Sequence, residues 1–221
     1  MWLVFLFSVF SGGTVFDFII IMQNNLTPQN ISNWLARALS EVPEPKLIGK
    51  PNDEIYLKKI IKHSALKSSS VSATLALPGG VLGYLSMIPD MAVVWQIQSQ
   101  LISNIAAAHG KHHLVTREQM LWCMFRQIGV GALKEVIVQQ GSQYLVKQIG
   151  PKLKKQILEK IGYNVLKASG GKAFSRIVPL VGTVSAGALT YYDTWRVGKN
   201  AMEFYSRDVI LLPPHTELPE G

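Results

Sequence analysis

Proline and glycine divide the hydrophobic pattern of this chain into stretches of helical period. Behind Thr27-Pro28, Ile31, Trp34, Leu35, Ala38 and Leu39 recur at i, i+3, i+4, i+7 and i+8. That spacing predicts a short amphipathic helix capped by Thr27, with proline in the first position. Pro43, Pro45, Gly49 and Pro51 then make an extended linker. Asn52-Asp53 caps a second helix carrying Leu57, Ile60, Ile61, Ser64 and Ala65 on one side, and Ser68-Ser69-Ser70 either breaks it or leads onward. From Val71 to Ala108 the only formal charge is Asp90. Pro78-Gly79-Gly80 interrupts this stretch, so two short apolar helices meeting at Pro78 are expected rather than one straight spanning helix. Pro89-Asp90 is expected to restart the helix, with Asp90 as its structural cap. Beyond it Val94, Ile97, Leu101, Ile105 and Ala108 form one face and Gln96, Gln100 and Ser103 another. A helix of that kind packs on a core, and His109-Gly110 reads as its C-terminus.

In the second half, Thr116-Arg-Glu-Gln119 is a capping box. It opens a helix whose expected core face is Leu121, Met124, Phe125, Ile128, Ala132 and Val136. Pro151 opens another, with Leu153, Ile157, Ile161 and Val165 in a stripe. Ile177 to Tyr192 is a second uncharged block, in which Gly182, Ala186 and Gly187 make a small-residue, helix-packing face. The helix continues to Tyr205, and the residues after Arg207 read as a tail. These elements predict an all-α fold: a compact multi-helix domain with two buried or membrane-dipping apolar helical segments and no sheet. Four segments follow. Residues 1–21 are an apolar leader, 22–51 an amphipathic helix and proline-rich linker, 52–207 the helical domain, and 208–221 an unstructured tail.

The leader supports three readings. Met1 to Ile21 has Asp17 as its only charge. It is interrupted for a spanning helix by Gly12-Gly13 and Asp17, and it lacks the basic n-region of a signal peptide. Translation from Met22 is the third reading.

Composition moves the picture toward a membrane. Hydrophobic residues make up 48% and charged residues 16%. Ordinary soluble domains carry about 25% charge. Mean hydropathy is +0.20. This balance excludes disorder for most of the chain. The net charge of +8 is concentrated. Between Gln143 and Arg176, the cations Lys147, Lys152, Lys154, Lys155, Lys160, Lys167, Lys172 and Arg176 face Glu159 alone, a net of +7 in 34 residues. Such a segment seeks an anionic partner. It is either a surface helix with solvated lysines or a basic amphipathic helix lying on anionic lipid. Nucleic acid fits less well, because the segment offers few stacking platforms, Tyr144 and Tyr163 among them.

Candidate chemistry is sparse. Cys123, the single cysteine, lies in an apolar helix and reads as a core residue. His109, His112 and His113 lack the spacing and further donor of a metal site, and read as a polar turn. Ser169-Gly-Gly-Lys172 lacks the spacing of a phosphate loop. There is no GxSxG, no paired-carboxylate motif and no cofactor fingerprint, so no catalytic residue, metal or cofactor is expected.

Two motifs resemble a known family. Leu85-Ser-Met-Ile-Pro-Asp-Met-Ala-Val-Val-Trp-Gln-Ile-Gln, continuing to Ile105-Ala-Ala-Ala-His-Gly110, resembles the Pro-Asp helix and trailing glycine of EcsC-like bacterial proteins. Ile177-Val-Pro-Leu-Val-Gly-Thr-Val-Ser-Ala-Gly-Ala, running to Thr194-Trp-Arg-Val-Gly-Lys-Asn-Ala201, is similar to that family's C-terminal helix. The resemblance covers Asn52 to Arg207 and omits the leader. It implies a bacterial protein near the cytoplasmic membrane, since the family's namesake accompanies an ABC transporter. It carries over no catalytic residue. The expectation is a non-enzymatic accessory or regulatory protein, peripheral or partly inserted on the cytoplasmic side of a bacterial inner membrane. Its partners would be anionic lipid, a membrane protein or both. A lipid-acting hydrolase and a membrane-inserting effector or immunity protein are the alternatives.

Overall fold

The computed structural model describes residue 36 and residues 41–47, 53–75, 81–126, 136–148, 150, 154–161, 163 and 179–212, with backbone alone at 75, 81–92 and 179–186. The leader and most of the segment behind Thr27 lie outside the described residues. Ala36 is helical there and packs against the core.

Helix α1 (Glu54–Leu75) starts where the sequence marks it. The Ile55 amide donates to Asp53 Oδ1 at 3.2 Å, and Glu54 pairs with Lys58 one turn on at 2.7 Å. Leu57, Ile61, Ala65, Ser68 and Ser72 form its buried stripe, which turns from apolar to polar toward the C-terminus. The serine run does not break the helix. Ser70 Oγ donates to the Leu66 carbonyl and Thr74 Oγ1 to the Ser70 carbonyl, one turn back, so these hydroxyls find partners without leaving the helix.

Helix α2 (Val81–Ala108) is continuous. This corrects the expected restart at Pro89-Asp90. Asp90 falls inside the helix, beyond the first turn where free amides need a cap. A proline there removes one backbone bond, and the turns on both sides hold. The far end follows expectation. Gly110, at φ 71, donates to the Ala107 carbonyl, and the Lys111 amide donates to the Ala106 carbonyl, forming a Schellman stop. The polar face of α2 is covered by the linker: Ser103 Oγ donates to Pro43 O at 2.6 Å, Gln100 Nε2 to Glu44 O at 2.9 Å, and the Lys46 amide to Asn104 Oδ1 at 2.8 Å.

After a 3-10 turn (His112–Leu114) comes α3 (Arg117–Phe125). Thr116 caps it by accepting from the Gln119 amide, as expected. The Gln119 side chain does not return to the cap. It donates to Leu114 O at 2.9 Å and accepts from Tyr205 Oη at 2.9 Å. Leu121, Met124 and Phe125 are buried; Ile128 and Ala132 lie outside the described residues; Val136 is buried but sits in a turn beyond the helix.

The expectation of no sheet is overturned. β1 (Ile137–Gln140) and β2 (Gln143–Lys147) form an antiparallel hairpin across Gly141-Ser142, with Gly141 at φ 57. β2 also pairs in parallel with β3 (Asp208–Leu212), giving the order β1-β2-β3. Residues 208–212 are therefore strand rather than tail. Tyr144, Leu145 and Val146 are all buried, as fits a central strand covered on both faces. A helical segment at 154–161 buries Ile157, Leu158 and Ile161. The long helix α4 (Pro179–Tyr205) packs against α1, α2 and α3. Its last turn meets the sheet through Trp122, Tyr144, Phe204 and Tyr205, with Tyr144 stacked on Phe204 at 4.5 Å. Cys123 is buried among them, as expected of a core cysteine, and burial pushes its thiol far above the usual range.

Candidate functional site

Contacts between distant residues fix how the helices run. Along α4, Gly187 faces Ser69 and Ala73 of α1, Thr190 Oγ1 donates to Ser72 Oγ at 2.9 Å, and Gly198 faces Ile61. Position numbers rise on one helix as they fall on the other, so α1 and α4 are antiparallel. Gln98 of α2 donates to Asp193 Oδ2 at 2.9 Å and to Thr194 Oγ1 at 3.3 Å. Further on, His109 borders the same groove as Met202 and Glu203. α2 and α4 are therefore parallel. The C-terminal turns of α1 and the N-terminal halves of α2 and α4 come together at one end of the bundle.

The described helix turns at that end are almost without charge. Ser68–Leu75, Val81–Gln98 and Pro179–Tyr192 contain one formal charge, Asp90. The 14 residues of α4 in this end span about 20 Å at 1.5 Å per residue. Among the described residues no helix is long and apolar enough to cross a membrane.

Aromatic and cationic side chains lie where the uncharged end stops. Tyr191 stacks on Trp195 at 6.4 Å between ring centres. The Arg196 guanidinium lies 5.3 Å from the Tyr192 ring centre, and Lys199 Nζ 5.9 Å from that of Trp195. Each pair is spaced i, i+4, which puts both members on one helix face. Leu66, Leu189 and Tyr192 are 50%, 65% and 58% exposed. Asp193 is the acidic member of this turn. Desolvation raises its pKa above the ordinary 3.8, against the Gln98 hydrogen bond and Arg196, which lower it. Beneath lies a seam of buried polar groups, Ser68, Ser72, Gln98 and Thr194, in which Ser68 Oγ has no hydrogen-bond partner.

The described members of the predicted basic segment are elsewhere. Lys147 ends β2, and Lys154, Lys155 and Lys160 lie on the segment at 154–161. Burial lowers the Lys154 pKa, with Arg117 adding to the shift and Glu118 opposing it, which places this segment beside the start of α3. The start of α3 is held to the last turn of α4 by the Tyr205–Gln119 bond, at the opposite end of the bundle from the uncharged turns. Lys155 and Lys160 are exposed, while the apolar stripe between them is already buried in the core. Lys152, Lys167, Lys172 and Arg176 lie outside the described residues. Of the small-residue face, Gly187 is the position with a described packing contact. A Cβ there would stand 3.2 Å from Ser69 Oγ and 3.4 Å from the Ala73 Cβ. Gly182 and Ala186 lie on the same helix with backbone described. Sequence reasoning missed Gly198, where a Cβ would stand 2.6 Å from Ile61 Cγ1.

Glu54, Leu57, His109, Met202, Glu203 and Ser206 line a groove of about 390 Å³ at the basic end. Its polar groups are mostly engaged. Glu54 pairs with Lys58, Glu203 pairs with Arg126 at 3.0 Å and accepts from Tyr144 Oη, and Ser206 Oγ donates to Glu203 O. His109 Nε2 is buried without a hydrogen-bond partner, and burial together with Lys111 lowers its pKa. His112 and His113 are exposed on the 3-10 turn. Among the described residues no three His, Cys, Asp or Glu side chains are arranged to hold a metal ion. Nor does the groove place a nucleophile against a base. No family model matches the chain, and no curated protein or solved structure matches it either.

Proposed function

We propose that this chain is a non-enzymatic, membrane-associated accessory protein that seats one end of its helical bundle in the anionic face of a bilayer. The observation that carries the reading is the convergence of three helix ends with one formal charge among them, bordered by Tyr191, Tyr192, Trp195, Arg196 and Lys199. Aromatic side chains with an apolar body and a polar tip favour the membrane–water boundary, and cations favour the phosphate layer outside it. The uncharged length of about 20 Å exceeds half of a hydrocarbon core and falls short of the whole, about 30 Å. Such an end enters one leaflet without crossing.

The resemblance to EcsC-like proteins supports placing this membrane in a bacterium, on its cytoplasmic side, with a transporter or another membrane protein as partner. Flotation tests the reading. The full chain is mixed with phosphatidylcholine vesicles, with or without phosphatidylglycerol, and spun through a density gradient. It is expected to float with the anionic vesicles, less so as salt rises, and carbonate at high pH is expected to strip it off. Failure to float with either vesicle would overturn the proposal, and resistance to carbonate would replace seating in one leaflet with integral insertion.

A further inference from the structure

We infer that the turn of α4 from Leu189 to Lys199 is a collar for the phosphate groups of anionic phospholipid, with Arg196 and Lys199 as the binding cations. This rests on the proposed membrane role and names the residues that carry it. The order along the helix supports the assignment. Exposed Leu189 comes first, then Tyr192, then Trp195, then the two cations. Rising at 1.5 Å per residue, Tyr192 lies about 5 Å beyond Leu189, and Arg196 about 6 Å further. The polar layer of each leaflet is about 5–8 Å thick outside the hydrocarbon. A helix entering with Leu189 in the acyl chains therefore brings Arg196 and Lys199 to the phosphates, with the rings of Tyr192 and Trp195 between.

The two cations also stand outside the ion pairs of the described residues. Lys58, Arg126 and Lys155 each have a carboxylate partner. Among the described residues Arg196 and Lys199 have none within salt-bridge distance. Asp193, whose charge Arg196 feels at a distance, accepts its hydrogen bond from Gln98 of α2. The aromatic rings beside the cations hold them at one level without neutralising them. Lys155 and Lys160, the prominent cations of the sequence, lie at the other end of a bundle whose helix α2 runs about 40 Å. One flat bilayer cannot touch both.

Partition of the full chain into vesicles containing phosphatidylglycerol tests this. The double variant Arg196→Gln/Lys199→Gln is expected to lose roughly 30-fold in partition, the worth of two cations at an anionic surface. Lys155→Gln/Lys160→Gln is expected to stay within about twofold, and inorganic phosphate at millimolar concentration is expected not to displace the protein. Lys155, Lys160 and Lys199 are exposed and Arg196 is half-buried, and matching circular dichroism spectra confirm that both variants fold. Wild-type flotation combined with loss in the Lys155/Lys160 variant, or with no loss in the Arg196/Lys199 variant, overturns the collar and leaves the membrane reading standing. Displacement by inorganic phosphate also overturns it, by showing a site for the free ion. If the wild-type chain does not bind vesicles, the membrane reading and the collar both fall, and a protein partner takes their place.

Discussion

Gly198→Ala probes the closest approach of α1 and α4. A Cβ at position 198 would stand 2.6, 2.9 and 3.0 Å from Cγ1, Cγ2 and Cδ1 of Ile61. Ile61 is 1% exposed and belongs to the main core cluster, so it cannot swing into solvent. Overpacking of this kind costs about 1–3 kcal/mol. Against it, replacing glycine by alanine inside a helix is worth about 1 kcal/mol. Two effects of opposite sign therefore meet, and the distance of 2.6 Å decides for the clash. The expected net loss is up to about 2 kcal/mol, or a few degrees in melting temperature for a chain of this length. Urea unfolding followed by circular dichroism measures it. Ile61→Ala alone should cost about 2–5 kcal/mol. Combined with Gly198→Ala it should cost less than the sum, because the new methyl fills the space left by Ile61. The same change at Gly187, where the nearest atoms are at 3.2–3.4 Å, should be close to neutral. A Gly198→Ala protein as stable as wild type, or additive with Ile61→Ala, would refute the packing argument.

Tyr205→Phe removes the hydroxyl that donates to buried Gln119 Oε1, and should cost about 1–3 kcal/mol in urea unfolding; a cost below about 0.5 kcal/mol would mean that the bond does not hold the start of α3. Asp193 has a raised pKa in the folded state, so its ionised form is disfavoured there. Its contribution to stability therefore improves as pH falls through that raised value. Relative to Asp193→Asn, the wild type should gain stability between neutral pH and about pH 4; a gap between the two that does not move with pH contradicts this. Asp90→Asn should change stability by less than about 0.5 kcal/mol, because α2 is already helical from Val81; a loss above about 1 kcal/mol would restore the capping role.

Local signals in the sequence located the helix ends well. Asp53, Thr116 and Gly110 act where their chemistry requires, because a cap or a left-handed stop involves residues two to five apart. The burial of Val94, Ile97, Leu101 and Ile105 also followed from spacing alone. The sheet was hidden for two reasons. Ile137-Val-Gln-Gln-Gly-Ser-Gln-Tyr-Leu-Val146 carries a hairpin signal, β-branched runs about a two-residue Gly-Ser link, but it sits between helical patterns. Its partner β3 comes more than sixty residues later, in a stretch whose prolines suggest a tail. Pro89 misled because a proline inside a helix normally ends it, and only packing can hold the turns on both sides. The site was half legible. Both uncharged blocks stood out, and so did the lysine run, but the separation of the uncharged turns from Lys154, Lys155 and Lys160 did not. That separation follows from Gln98 meeting Asp193 and Gly187 meeting Ser69, contacts that no periodicity contains.

The orientation of the bundle on a bilayer is open to direct measurement. Cys123 is buried with its thiol pushed up, so a spin label attaches selectively to a cysteine introduced at Leu189 or at Lys155. Collision rates with oxygen, which concentrates in lipid, and with a water-soluble nickel chelate are then read with and without phosphatidylglycerol vesicles. The account predicts that the label at Leu189 gains oxygen contact and loses nickel contact when vesicles are added, while the label at Lys155 stays exposed to nickel. A label at Lys155 that becomes protected while the one at Leu189 remains in water would contradict it.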